Sequence, residues 1–180
     1  MTKETVVKRD VVFEGRLFDV HIDHIRTDQG KEYVREIVQH KGAVAVVPID
    51  PDGKVIMVRQ FRSGAGKSLL EIPAGGLEEG EEREASARRE LQEEIHYYPN
   101  ELIELGDFWV AAGYTTERIT IYLASDLKPS ELPADADEDL TIEKVPFTEA
   151  LERALTNQFV DSKTIIGLLW AARHLGKLST

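Results

Sequence analysis

The chain has 180 residues, of which 42% are hydrophobic, enough for one domain with a buried core and a small accessory segment. Its formal net charge is −11 and its pI is near 4.9, so its field repels nucleic acid and anionic membranes. It has no cysteine, which excludes disulfides, thiolate nucleophiles and cysteine-bound zinc or iron–sulfur clusters, and suits a cytoplasmic protein.

The polar N-terminus MTKETVVKRD lacks the apolar stretch of a secretory signal. Three β-branched segments follow up to His40, with a turn at Asp28-Gln29-Gly30 between the second and third. AVAVVPI, residues 43–49, is a continuous apolar run of strand length, expected at the centre of a sheet. Asp50-Pro51-Asp52-Gly53 is a strong turn, and the spacing predicts a hairpin between that run and KVIMVRQF. Ser63–Gly66 reads as a flexible loop extending to Lys67, before the short LLEIP.

Glu81–Ile95 has neither Gly nor Pro and is rich in helix formers, so a helix is predicted there. LIELGDFWV and RITIYLA return to strand character, and the acidic, Pro-containing LKPSELPADADED is a long connection of the kind that carries function. LTIEKV is a last strand. Thr148 is expected to cap a short helix, and Asp161 or Ser162 to cap the amphipathic helix DSKTIIGLLWAARHL. Neither AVAVVPI nor IIGLLWAA is long enough to cross a bilayer. The order of elements gives a mixed α/β domain behind an N-terminal antiparallel β extension of about forty residues.

Leu70–Pro99 is crowded with glutamate. On a helix at about 100° per residue, Glu90, Glu93 and Glu94 fall within one arc, beside an apolar stripe of Ala87, Leu91 and Ile95. One reading is a solvated acidic face. The other is a cation site: Glu90 and Glu94 repel each other at i,i+4, hard divalent cations take carboxylate oxygens, and Pro73-Ala74-Gly75-Gly76 allows a main-chain carbonyl to approach.

Gly75, five residues, Glu81, seven residues, Arg89-Glu90-Leu91, one residue, Glu93-Glu94 resembles the signature of the Nudix hydrolases, with His96 where that signature has glycine. The resemblance implies an α/β/α sandwich around a mixed β-sheet. Residues 1–42 would form a β segment for dimerisation and substrate contacts, and residues 43–180 the hydrolase domain. Glu90, Glu94, Glu93 and the Ala74 carbonyl would then hold Mg²⁺ or Mn²⁺. Glu93 is also a candidate to handle the water, Arg89 to orient the carboxylates and Glu81 to tie the Gly75 loop to the helix.

VRQFR followed by LEIPAGGLEEGE, the approach REIVQHKGAVAVVPI, and GYTTE at 113–117 resemble the ADP-ribose pyrophosphatase branch, with Ala112 where proline is usual. That implies a homodimer hydrolysing a small-molecule nucleotide sugar, giving AMP and a sugar phosphate. Arg35, Arg62, Glu71, Gly113 and Glu117 become candidate substrate contacts, and Glu138 of the acidic loop a candidate base or extra metal ligand. Hydrolysis of GDP-mannose or another sugar nucleotide, and a sensor that binds ADP-ribose without cleaving it, are the alternatives.

Other patterns carry less. SGAGKS lacks the first glycine of a phosphate loop, since Phe61 stands there and a strand follows. His21 and His24, three apart on a strand, point to opposite faces. Trp109 and Trp170 read as core or interface anchors.

Overall fold

The computed structural model describes residues 2–133 and 139–178. It divides into two compact units, one comprising the chain up to Gly42 with Phe108–Arg118, the other Ala43–Asp107 with Ile119 onward.

In the first unit, β1 (Glu4–Glu14), β2 (Phe18–Thr27) and β3 (Glu32–His40) form an antiparallel sheet in the order β1-β2-β3. Register shifts at Val6/Lys8 and Val11/Phe13 mark irregularities of the bulge kind along β1. His21 is buried and His24 half-buried, with the His24 ring on Asp10 at 2.9 Å. Phe108–Arg118 joins this unit through a bridge between Val38 and Thr115 and the Val38 amide donating to the Tyr114 carbonyl at 2.7 Å. Trp109 is exposed, with the Arg118 guanidinium 4.4 Å over its ring, so it is not a core anchor; a cation pairs with its face instead.

The second unit carries two sheets. One has the order β7-β4-β9-β8, from β7 (Ala74–Gly76), β4 (Ala43–Pro48), β9 (Arg118–Pro129) and β8 (Tyr97–Trp109). The other has the order β10-β5-β6, from β10 (Thr141–Pro146), β5 (Lys54–Arg62) and β6 (Lys67–Glu71). β4 runs parallel to β9 and antiparallel to β7, so the first sheet is mixed.

The predicted β4–β5 hairpin does not form. Asp50 accepts from the amides of Asp52 and Lys54, both at 3.0 Å, and this turn leads β5 into the other sheet, with a bridge from Ile49, just past β4, to Val55. The hairpin comes one turn later, where the Gly66 amide donates to the Arg62 carbonyl at 2.9 Å and Arg62 pairs with Lys67. Ser63–Gly66 is therefore a tight turn, and Lys67 is the first residue of a strand rather than part of a loop.

Helix α1 (Arg83–Glu94) covers one face of β4. Its Ala87 and Leu91, with Ile95 just beyond, pack with Val44, Val46, Ile56, Val58, Tyr122 and Ala124. Helix α3 (Ser162–His174) covers the other face, where a Cβ added at Gly167 would lie 2.7 Å from Ile72 and 3.2 Å from Val47. The result is the helix–sheet–helix arrangement expected from the sequence. Asp161 caps α3, accepting from the Thr164 amide at 2.9 Å and the Thr164 hydroxyl at 2.6 Å.

Helix α2 (Phe147–Leu155) starts a residue before Thr148, which caps nothing. The buried Phe147 ring and its amide, which donates to the Gly53 carbonyl at 3.1 Å, fix that start instead. Among the described residues no helix is long and apolar enough to cross a membrane.

Gly167→Ala tests the close approach of α3. Helix propensity alone favours alanine by about 1 kcal/mol. The tight packing at this site is expected to reverse that into a net loss of ~1–2 kcal/mol, read from the denaturant midpoint.

Candidate active site

The glutamate-rich segment resolves into one organised cluster. Arg89, on the second turn of α1, forks onto the Glu81 carboxylate through Nε at 2.8 Å and Nη2 at 2.9 Å. Its Nη1 donates to Glu90 at 2.7 Å and Glu93 at 2.8 Å, and Nη2 also donates to the Gly76 carbonyl and the Ser86 hydroxyl, both at 3.1 Å. Glu81 in turn accepts from the Glu78 amide at 3.1 Å, which closes the loop between β7 and α1. The Arg89 guanidinium holds the Glu81 carboxyl down to about 2, and burial opposes this only in part.

Glu90 and Glu94 are buried, 6% and 3% exposed, whereas the Glu93 side chain is 21% exposed. Glu94 accepts from the Ala74 amide at 3.1 Å. Gly75 lies directly against Glu90: a Cβ there would sit 2.0 Å from the Glu90 carboxyl carbon. The absence of a side chain at Gly75 therefore makes the space that Glu90 fills. Among the described residues no three His, Asp or Glu side chains are gathered as a ready-made metal cage, because Arg89 stands between the carboxylates. The donors themselves are the hard oxygens a divalent cation takes: two buried carboxylates one turn apart, a third beside them, and the Ala74 backbone in contact with Glu94.

α1 ends where the box departs from the Nudix signature. His96 adopts φ 64°, the left-handed conformation that glycine usually supplies after a helix, so histidine fills the geometric role of the missing glycine.

A second charged cluster joins β5, β6 and α3. Arg62 meets Glu71 through Nε at 3.0 Å and Nη2 at 2.8 Å, and Lys163 Nζ also bonds Glu71 Oε2. Lys163 reaches Asp161 at 3.1 Å as well. Glu71 is 1% exposed; burial pushes its carboxyl up, but Arg62 and Lys163 outweigh that and hold it below the usual carboxylate value. The Ile72 amide donates to Thr164 Oγ1 at 3.0 Å, tying the same corner to α3.

The remaining predicted contacts belong to the chain's first unit or fall outside the described residues. Arg35 is exposed on β3, its guanidinium 4.5 Å over the Tyr33 ring and 3.9 Å from Glu4. Gly113 is exposed in a turn, and Glu117 is half-buried with its amide on Thr115 Oγ1 at 3.1 Å. Glu138 lies outside the described residues.

Lys163 was not singled out from the sequence, although a signal existed. A lysine at the second position of a helix sits at the positive end of the helix dipole, where cations are disfavoured, so it needs a partner elsewhere in the fold.

This chain belongs to the Nudix family: the NUDIX domain model matches residues 39–165. Members of the family generally work with divalent metal ions. The chain is 37% identical to the ADP-ribose pyrophosphatase of Bacillus subtilis (strain 168) over 164 residues, 90% of this chain and 89% of that one. It is 38% identical to the methanol dehydrogenase activator of Bacillus methanolicus over 168 residues, 92% and 91% of the two chains. Its fold matches the crystal structure of an ADP compounds hydrolase with a TM-score of 0.84 and 26% identity, covering 98% of this chain and 97% of that one.

Two substitutions test the cluster. Gly75→Ala displaces the Glu90 carboxyl and is expected to lower metal-dependent hydrolysis ~10-fold or more, with circular dichroism unchanged. Glu81→Gln removes a carboxylate that titrates lower in the folded state than in the unfolded chain, so its stabilisation is present above the ordinary value of 4.5 and fades as pH falls toward about 2. The loss of stability, ~1–2 kcal/mol at pH 7, should therefore shrink in urea melts run at progressively lower pH across that window.

Proposed function

We propose that the protein is a metal-dependent hydrolase of ADP-ribose or a related nucleoside diphosphate sugar, releasing AMP and a sugar phosphate, with Mg²⁺ or Mn²⁺ as the metal. One observation carries the reading: two buried carboxylates, Glu90 and Glu94, are fitted against the Ala74–Gly75 backbone, where ordinary solvated glutamates have no reason to be. The names of the relatives, ADP-ribose pyrophosphatase and ADP compounds hydrolase, support the substrate class.

Glu90, Glu94, Glu93 and the Ala74 carbonyl are the groups that would hold the metal. Bound there, a divalent cation offsets the charge on the diphosphate oxygens and acidifies water. That offset matters in a chain of net charge −11, which by itself repels a diphosphate. Arg89 keeps the Glu90 and Glu93 side chains in fixed rotamers, so they need not be ordered when substrate arrives. Glu93, more exposed than its neighbours, is placed to accept a proton from the attacking water, and Glu138 is the other candidate for that role. The water oxygen bonds to phosphorus, the bridging P–O bond breaks, and the two halves leave as phosphate monoesters. Arg62 supplies a forked cation for the phosphate oxygens.

We further infer a homodimer in the cytoplasm. The cysteine-free sequence suits that compartment, and β1 and the turn after it leave Val11, Val12, Phe13 and Leu17 at least half exposed, an apolar strip that a second copy would cover. Light scattering after gel filtration should give twice the 20.2 kDa chain mass; a monomer at micromolar concentration rejects this assignment.

Purified protein with ADP-ribose and Mg²⁺ should produce AMP, and EDTA should stop it. Tight ADP-ribose binding with no AMP would establish a sensor instead, and turnover of GDP-mannose alone would move the substrate assignment. Glu94→Gln is expected to keep the fold and lose ~100-fold or more in kcat; near-normal activity would refute the metal assignment.

A further inference from the structure

Lys163 is an expensive residue where it stands. It is 8% exposed, at the positive end of α3, and both its partners, Glu71 and Asp161, are carboxylates withdrawn from water. Stapling α3 to the sheet does not require it, because the Ile72 amide already donates to Thr164 Oγ1 at 3.0 Å between neutral groups. Nor is Lys163 needed to neutralise Glu71, since Arg62 alone matches that charge with two good hydrogen bonds.

What Lys163 adds is geometry. Glu71 Oε2 is held from two directions, by Arg62 Nη2 and by Lys163 Nζ, while Oε1 takes Arg62 Nε. The carboxylate plane therefore cannot turn, and a bidentate guanidinium must share that plane. Arg62 spends its Nε and Nη2 edge on Glu71, its Nη1 has no hydrogen-bond partner among the described residues, and its side chain is 38% exposed. It also senses the charge of Glu94 on the proposed metal-binding face.

We propose that Lys163 is a positioning residue for substrate binding: by pinning Glu71 it fixes Arg62 so that the outward guanidinium edge meets the diphosphate, an assignment that rests on the hydrolase reading above. Arg62 touches the ligand, and Lys163 acts through Glu71.

The test compares Lys163→Met, Lys163→Arg and the double variant Glu71→Gln/Lys163→Met, each checked for fold by thermal melting. For each, kcat and KM are measured with ADP-ribose and Mg²⁺, and the Kd for ADP is measured by calorimetry. Lys163→Met should raise KM and the ADP Kd about tenfold while kcat moves less than about threefold, and Lys163→Arg should recover most of the loss. Should Lys163→Met not fold, the double variant, which removes both buried charges together, is expected to show the same rise. A folded Lys163→Met, or double variant, with wild-type KM and Kd overturns the proposal, as does a loss of kcat and stability with KM unchanged. If wild-type protein fails to cleave ADP-ribose yet its ADP affinity still depends on Lys163, the hydrolase reading falls and the positioning role stands.

Discussion

The glutamate cluster of the candidate site is gathered by one guanidinium. Glu81, Glu90 and Glu93 converge within 3 Å of Arg89, and without it three like charges at the edge of an apolar core would drive the loop and the helix apart. Lysine could not replace it, because the contacts use all three guanidinium nitrogens in a planar fork, and a point charge offers no such plane. The same group reaches the Gly76 carbonyl, so the strand before the loop, the loop and the helix after it are joined at a single residue.

Around that junction the fold is arranged to leave little slack. β4 is covered by α1 on one face and α3 on the other, and both neighbours in its sheet contribute to the site or its support. Val46 donates its amide to the Pro73 carbonyl at 2.9 Å, Ala74 donates to Glu94, and Ile72 donates to Thr164. The corner from Glu71 to Gly75 is thus bonded to the central strand, to α1 and to α3 at once. This is the rigidity a charged site needs if its donors are to be in place before a ligand arrives.

Much of this was legible in the sequence because it is local. The 3.6-residue period alone puts Glu90, Glu93 and Glu94 on one arc and Ala87, Leu91 and Ile95 on the stripe beside it, and α1 packs as that period requires. The apolar run 43–49 announces a central strand for the same reason. What was missed is non-local. The Asp50 turn looks like a hairpin turn, and only the competition between two sheets decides that β4 and β5 separate. Thr148 is a good cap by type, but burial of Phe147 decides where α2 begins. Trp109 reads as a core or interface anchor by type, and the guanidinium of Arg118, 4.4 Å over its ring, holds it at the surface of its unit. Lys163 and Glu71 lie far apart in sequence, and nothing in the spacing couples them.

The helix exit at His96 has a consequence for mechanics. A side-chain-bearing residue in the left-handed region costs on the order of 1 kcal/mol relative to glycine, and the structure retains it. β8 begins at the very next residue, Tyr97, and the His96 carbonyl accepts from the Ser130 amide at 3.0 Å. One residue therefore couples the axis of α1 to the direction of a strand, with no linker to absorb a shift. Any sliding or rotation of the helix would have to drag the sheet edge with it, so the three carboxylates behave as part of the sheet's frame, and adjustment to a ligand falls to the ligand and to the side chains that are not so anchored.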